Sequence, residues 1–158
     1  MAQTGAAAAA CPTSNLFLGS GLFDFAAARE AGMRVGMGTD VGGGTSFNML
    51  RTLSEAYKVA QLTGQRLSPW RAFYLATLGG ARALGLDDRI GNFEPGKEAD
   101  FAVLRLDSTP LMARRIRAGA TPAEKLFALM MLGDDRAVAA TYVMGRPALF
   151  SQPLAQRK

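Results

Sequence analysis

Apolar runs and helical periodicities alternate along the first half of the chain. Ala7–Cys11 is uniformly apolar and is stopped by Pro12, so it predicts a short buried strand followed by a loop at Thr13, Ser14 and Asn15. Helix is its competitor, since alanine is the best helix former. Leu22–Ala31 predicts a helix closed by Gly32, and Met33–Gly38 a near-continuously apolar strand of the kind buried in parallel sheets. Strand, helix, strand in that order is the βα repeat of α/β proteins. Beyond a glycine-rich loop, Phe47, Leu50, Leu53, Tyr57 and Ala60 recur at helical spacing and predict a helix over Phe47–Leu62. Ser68 as N-cap and Pro69 in the first turn open another, whose Trp70, Phe73 and Tyr74 are expected to pack against the sheet. A short helix at Ala81–Leu84 ends at Gly85.

The second half has a different character. Glu94-Pro95-Gly96 reads as a turn among strand-like pieces, Phe101–Leu106 as a strand, and Met144-Gly145-Arg146 as the turn between two last short strands. Thr121, Pro122 and Glu124 form a capping box ahead of a helix. The expected organisation is an α/β segment over residues 1–88, a more strand-rich composite segment with one helix over residues 89–150, and a flexible polar tail over residues 151–158. Met112, Met130 and Met131 read as core filler.

Composition narrows the chemistry. The 158 residues fit one domain or part of a larger one, and 49% hydrophobic residues exclude wholesale disorder. A single cysteine excludes a disulfide framework and a multi-cysteine zinc knuckle. The absence of histidine removes imidazole from catalysis and metal binding, unless another chain or segment supplies it. The net charge of +5 is dispersed, with only Arg114, Arg115 and Arg117 clustered, which argues against nucleic acid as a partner. No apolar run is long enough for a transmembrane helix and no signal-peptide pattern is present, so no membrane partner is expected and the cytoplasm is the default compartment.

The candidate chemistry lies in GMGTDVGGGTS. Asp40 stands where an apolar strand ends, directly before Gly42, Gly43 and Gly44. Carboxyl ends of parallel strands are where α/β folds and β/α barrels place their chemistry, and a carboxylate there is either a metal ligand or a proton carrier. The glycines permit tight turns and close backbone approach. The plainer alternative is a loop-capping Asp40 with ordinary turn glycines. If Cys11 ends the neighbouring strand, Thr13, Ser14 and Asn15 share a rim with Asp40, where Asn15 could hold a loop or contact a substrate. Cys11 reads as a small hydrophobe, since no histidine can activate it. One carboxylate does not make a zinc site, which takes about four ligands.

The stretches CPTSNLFLGSGLFD, VGMGTDVGGGTSFNMLRTLSEAYKV, LATLGGARALGLDDRIGNFEPGKEADFAVL and KLFALMMLGDDRAVAATYVMGRP together closely resemble the carboxyl-terminal part of the guanine deaminase branch of the metal-dependent amidohydrolase superfamily. GNFEPGKEADFAVL alone marks only the wider superfamily. The resemblance implies the carboxyl-terminal portion of a (β/α)8 TIM barrel plus part of the flanking small β-sandwich domain. It also implies one zinc ion in the complete enzyme, with Asp40 as metal ligand and base and Asn15, Gly42, Gly43 and Gly44 at the pocket rim. The family's histidine ligands and proton-shuttling glutamate lie in regions this chain does not contain, so the chain alone is expected to be inactive and to bind zinc weakly. The implied reaction is hydrolytic deamination of guanine to xanthine and ammonia, in a protein that is a homodimer when complete. Alternatives are another purine, pterin or triazine aminohydrolase, or a non-catalytic subunit completing a split barrel; self-association is the expectation for the isolated chain.

Overall fold

The structure, a computed structural model, describes residues 4–148. The expected tail at residues 151–158 lies outside the described residues. Two small sheets and seven α-helices make up the described part. The first sheet is the parallel pair β1 (Ala7–Ala10) and β2 (Arg34–Met37), in the register Ala7 to Arg34 through Ala10 to Met37. Between them run α1 (Pro12–Leu18) and α2 (Phe25–Glu30). After β2 come α3 (Met49–Leu62), α4 (Pro69–Ala76) and α5 (Leu78–Leu84). The second sheet is antiparallel, in the order β3 (Phe101–Leu104), β4 (Val138–Val143), β5 (Arg146–Pro147). Between β3 and β4 lie α6 (Pro110–Ala118) and α7 (Pro122–Leu132).

The core is built around α3. Leu53, Ala56 and Ala60 on α3 meet Ala72 and Leu75 of α4 and Met130 of α7, with Val35 and Met37 of β2 packed against them. An adjoining cluster joins Leu50 of α3 to Met112 of α6, Leu129 of α7 and Ala137. The segment after residue 88 therefore shares its core with the α/β segment through α7. Leu53, Leu75 and Met130 are at most 1% exposed, so truncating any of them to alanine removes about 2–5 kcal/mol. Gly36 lets α5 lie directly on β2: a Cβ there would sit 2.9 Å from the Cα of Gly80. In the second sheet, Phe101 stacks on Tyr142 with ring centroids 4.5 Å apart.

Several expectations are corrected. Thr13, Ser14 and Asn15 are helical, in α1, because Pro12 opens a helix at its first turn, where its missing N–H is no loss. Helix α2 begins at Phe25 rather than Leu22, since Asp24 caps it by accepting from Ala27 N. Helix α3 begins at Met49, capped by Asn48, which leaves Phe47 outside the stripe and 85% exposed. Helix α5 starts at Leu78, three residues earlier than expected, and β3 ends at Leu104. No strand flanks the Glu94–Gly96 turn. The second segment holds two α-helices, not one: α6 is capped by Thr109, opened by Pro110 and anchored by the fully buried Met112, and it carries the arginine cluster on its exposed side. Trp70 is 57% exposed, whereas Phe73 and Tyr74 do pack on the core. Met112, Met130 and Met131 fill the core as expected. Among the described residues, no helix is long and apolar enough to cross a membrane.

Candidate functional site

The parallel register brings the ends of β1 and β2 side by side, and Gly38 N donates to Ala10 O at 3.0 Å just beyond them. The next residues on each chain segment build the candidate site. From the first come Cys11 and helix α1; from the second come Thr39, Asp40 and the glycine loop. Thr13 Oγ1 donates to Thr39 O at 3.4 Å, and Ser14 Oγ donates to Asp40 Oδ2 at 2.7 Å. Both hydroxyls belong to buried residues, 5% and 2% exposed, while Asp40 faces solvent. Among the described residues, Asp40 Oδ1 has no hydrogen-bond partner.

Asp40 has φ +47°, a left-handed conformation that side chains adopt rarely and aspartate more readily than most. This bends the backbone so that Asp40 O accepts from Gly44 N at 2.5 Å, closing a tight loop. Gly44 is required sterically: a Cβ there would collide with Thr39 O and lie 3.0 Å from Asp40 O and 3.1 Å from Thr13 Oγ1. Gly43 packs against Ser14, whose Oγ a Cβ would overlap. Gly42 is different in kind, with open space around it but φ +128°, so its need is conformational. The loop ends at Asn48, which accepts from Leu50 N at 2.8 Å to cap α3 and donates its side-chain amide to Asp135 Oδ1 at 3.0 Å.

Of the residues expected at the rim, the structure brings Ser14, Gly43 and Gly44 onto Asp40, and Thr13 onto the preceding Thr39 carbonyl. Asn15 sits one residue further along α1, and no side-chain contact joins it to Asp40; its carbonyl instead accepts from Gly19 N and Ser20 N to close the helix. Cys11 is partly buried, with its thiol pushed above the ordinary value by burial first and by the Asp40 carboxylate second. It is therefore a protonated, weakly reactive thiol at neutral pH. Ser14 as the direct partner of Asp40 was legible only as a neighbour. The Asn48–Asp135 link was missed, although an asparagine directly before an apolar helical stripe is a cap signal.

The chemistry of the donors limits what these residues do alone. Among the described residues no group of three or more His, Cys, Asp or Glu could hold a metal ion. Asp40 by itself does not fit a zinc site, since zinc takes about four ligands. The arrangement supplies one carboxylate, fixed through Oδ2 by a buried hydroxyl and presenting Oδ1 outward. Such a group can accept a proton or complete a site whose other members lie elsewhere.

The Amidohydrolase family model matches residues 1–148. Guanine deaminase of Escherichia coli (strain K12) is 59% identical over 146 residues, covering 92% of this chain and 33% of that protein. The solved structure of E. coli guanine deaminase superposes with a TM-score of 0.92 at 57% identity, over 96% of this chain and 35% of the other. A zinc-bound adenosine deaminase from Xanthomonas campestris superposes with a TM-score of 0.77 at 28% identity, over 95% of this chain and 33% of the other. The chain thus spans about one third of the length of the curated relatives it matches. It is an α/β structure matching part of guanine deaminase. The chain belongs to the amidohydrolase family.

Proposed function

We propose that this chain is the carboxyl-terminal part of a guanine deaminase, and that the complete protein hydrolyses guanine to xanthine and ammonia. In this reading residues 1–88 are the last strands and helices of a (β/α)8 barrel, with β1 and β2 its seventh and eighth strands. Residues 89–150 are a composite of α6, α7 and strands of the flanking small β-sandwich domain. Asp40 is the metal ligand and proton carrier; Gly42, Gly43 and Gly44 shape the pocket wall and Asn15 stands at its rim. One zinc ion would belong to the complete protein, held by Asp40 together with ligands from the rest of that protein, and would supply the polarisation of a water; we read that protein as a cytoplasmic homodimer without nucleic-acid or membrane partners.

The observation that carries this reading is the placement of Asp40. It follows the end of a parallel strand, is held by Ser14, and lies in a glycine loop, in a chain 59% identical over 146 residues to a guanine deaminase. What this chain contributes to the reaction is therefore orientation. The Ser14 hydrogen bond occupies Oδ2 and the left-handed backbone turns the carboxylate outward, so that Oδ1 is free to receive a proton. The likeness to an adenosine deaminase supports a second reading, in which the specificity is for another purine, or for a pterin or triazine. A non-catalytic subunit completing a split barrel is the third.

The test mixes this chain with a polypeptide supplying the amino-terminal two thirds of the E. coli relative, and follows bound zinc and xanthine formation. The chain alone is expected to give neither, and the pair both. Replacing Asp40 by alanine in the pair should lower turnover by about 10²–10⁴. Undiminished guanine turnover with the Asp40→Ala chain would sink the proposal. Faster turnover of adenosine or a triazine than of guanine would select the second reading, and zinc binding without turnover of any of them the third.

A further inference from the structure

Arg29 on α2, Arg66 in the turn after α3 and Arg71 on α4 line one cavity of about 300 Å³. Met33, directly before β2, and Val35, its second residue, line it too, so it lies toward the opposite end of the strand from Asp40. Among the described residues, none of the three guanidinium groups forms an ion pair. Arg71 has only the ring of Tyr74, 4.9 Å from its guanidinium carbon.

No carboxylate lines the cavity to offset these charges. Asp24, the N-cap of α2, is already engaged: it accepts from Ala27 N at 2.8 Å and from Gln65 Nε2 at 2.7 Å, and Glu30, the acidic residue of α2 itself, does not line the cavity. Gln65 lines the cavity but is committed at both ends of its amide, since its Oε1 accepts from Ala26 N at 2.8 Å. The remaining lining is apolar, with Phe25, Met33, Leu67 and Leu75, of which Leu67 and Leu75 are buried.

Three cations around one opening repel each other, and an anion placed among them relieves that repulsion. A guanidinium is planar, always charged and shaped to pair with phosphate oxygens. An apolar floor of this size takes a ring and not an ion alone. We propose that this cavity binds a small aromatic or heterocyclic phosphate monoester, with the dianionic group among Arg29, Arg66 and Arg71 and the ring against Phe25 and Leu75. The site is separate from Asp40 and does not depend on the deaminase reading.

Isothermal titration calorimetry of the full chain at low salt tests this, with phenyl phosphate, inorganic phosphate and phenol as probes. Phenyl phosphate is expected to bind with a Kd below about 1 mM, and each of the other two at least about tenfold more weakly. Arg66→Gln and Arg71→Gln, both at exposed positions, should each weaken phenyl phosphate by about five- to tenfold with unchanged circular dichroism. Absence of saturable heat with phenyl phosphate would overturn the proposal. So would equal affinity for inorganic phosphate, or affinity that survives both substitutions in folded protein.

Discussion

The buried hydroxyl of Ser14 on α1 donates a 2.7 Å hydrogen bond to Oδ2 of Asp40, twenty-six residues away beyond the end of β2. This bond joins the two segments of the candidate site, and it aims a charged group whose backbone is itself in the left-handed region. Ser14→Ala should destabilise the chain by about 1 kcal/mol, a modest figure because water can solvate the exposed carboxylate in its place. Asp40→Asn should cost less in the Ser14→Ala background than alone. Urea unfolding followed by Trp70 fluorescence measures both, and additive effects would contradict the coupling.

Gly42 and Gly44 should respond differently to alanine. At Gly44 the added Cβ meets the backbone oxygens of Thr39 and Asp40, which have no room to retreat, so a loss of about 3 kcal/mol or more is expected. At Gly42 only the positive φ is strained, and the loss should be about 1 kcal/mol. Equal denaturation midpoints for the two variants would be inconsistent with this loop geometry.

Cys11 should react slowly with a disulfide reagent at neutral pH. Burial and the Asp40 carboxylate both raise its pKa, so the thiolate accumulates only above the ordinary thiol range. Asp40→Asn removes the smaller of these causes and should shift the pH–rate profile of Cys11 modification downward. Because the folded pKa is raised, the thiol's contribution to stability is complete below the unfolded pKa and declines as pH rises through the folded value.

At acid pH the capping box of α7 should lose its contribution to stability. Thr121 N and Ala120 N both donate to Glu124, and the backbone bond from Thr121 is the main reason its pKa lies below the usual glutamate value. With a lowered folded pKa, this contribution is complete above the unfolded pKa and is lost as pH falls through the folded one. Glu124→Gln should flatten the acid limb of the stability–pH curve, measured by thermal denaturation between roughly pH 2 and 5.

Association should rise with concentration. Among the described residues β1 and β2 pair only with each other, so each has a free edge, and β1 is a run of four alanines without a charge or proline to discourage pairing. Sedimentation velocity is expected to show oligomers growing with loading concentration. A monodisperse monomer across that range would refute it.

Local chemistry was readable wherever one residue type has one dominant use. Ser68-Pro69, Thr121-Pro122 with Glu124, and Gly32 and Gly85 after α2 and α5 announced helix ends, because capping and left-handed turns depend on neighbours in sequence. The apolar runs announced β1 and β2 for the same reason. Pro12 misled: it ends a strand and opens a helix at once, and only the packing of buried Thr13 and Ser14 chose the helix. Helix α6 was missed although Thr109-Pro110 carries the same cap signal as Thr121-Pro122, because its arginines read as a charge cluster and Met112, its single fully buried anchor, carries no periodicity alone.

The sequence by itself determined that a lone aspartate ends an apolar strand beside three glycines, with no histidine anywhere to complete a site. Tertiary structure decided which oxygen of Asp40 is held, which glycine is sterically compelled, and that three separated arginines meet around one cavity. The physical reason is range. Caps, turns and strand breaks are settled within about four residues, whereas Ser14 meets Asp40, and Arg29, Arg66 and Arg71 come to line one cavity, only after β1 and β2 have paired and α2, α3 and α4 have packed around them.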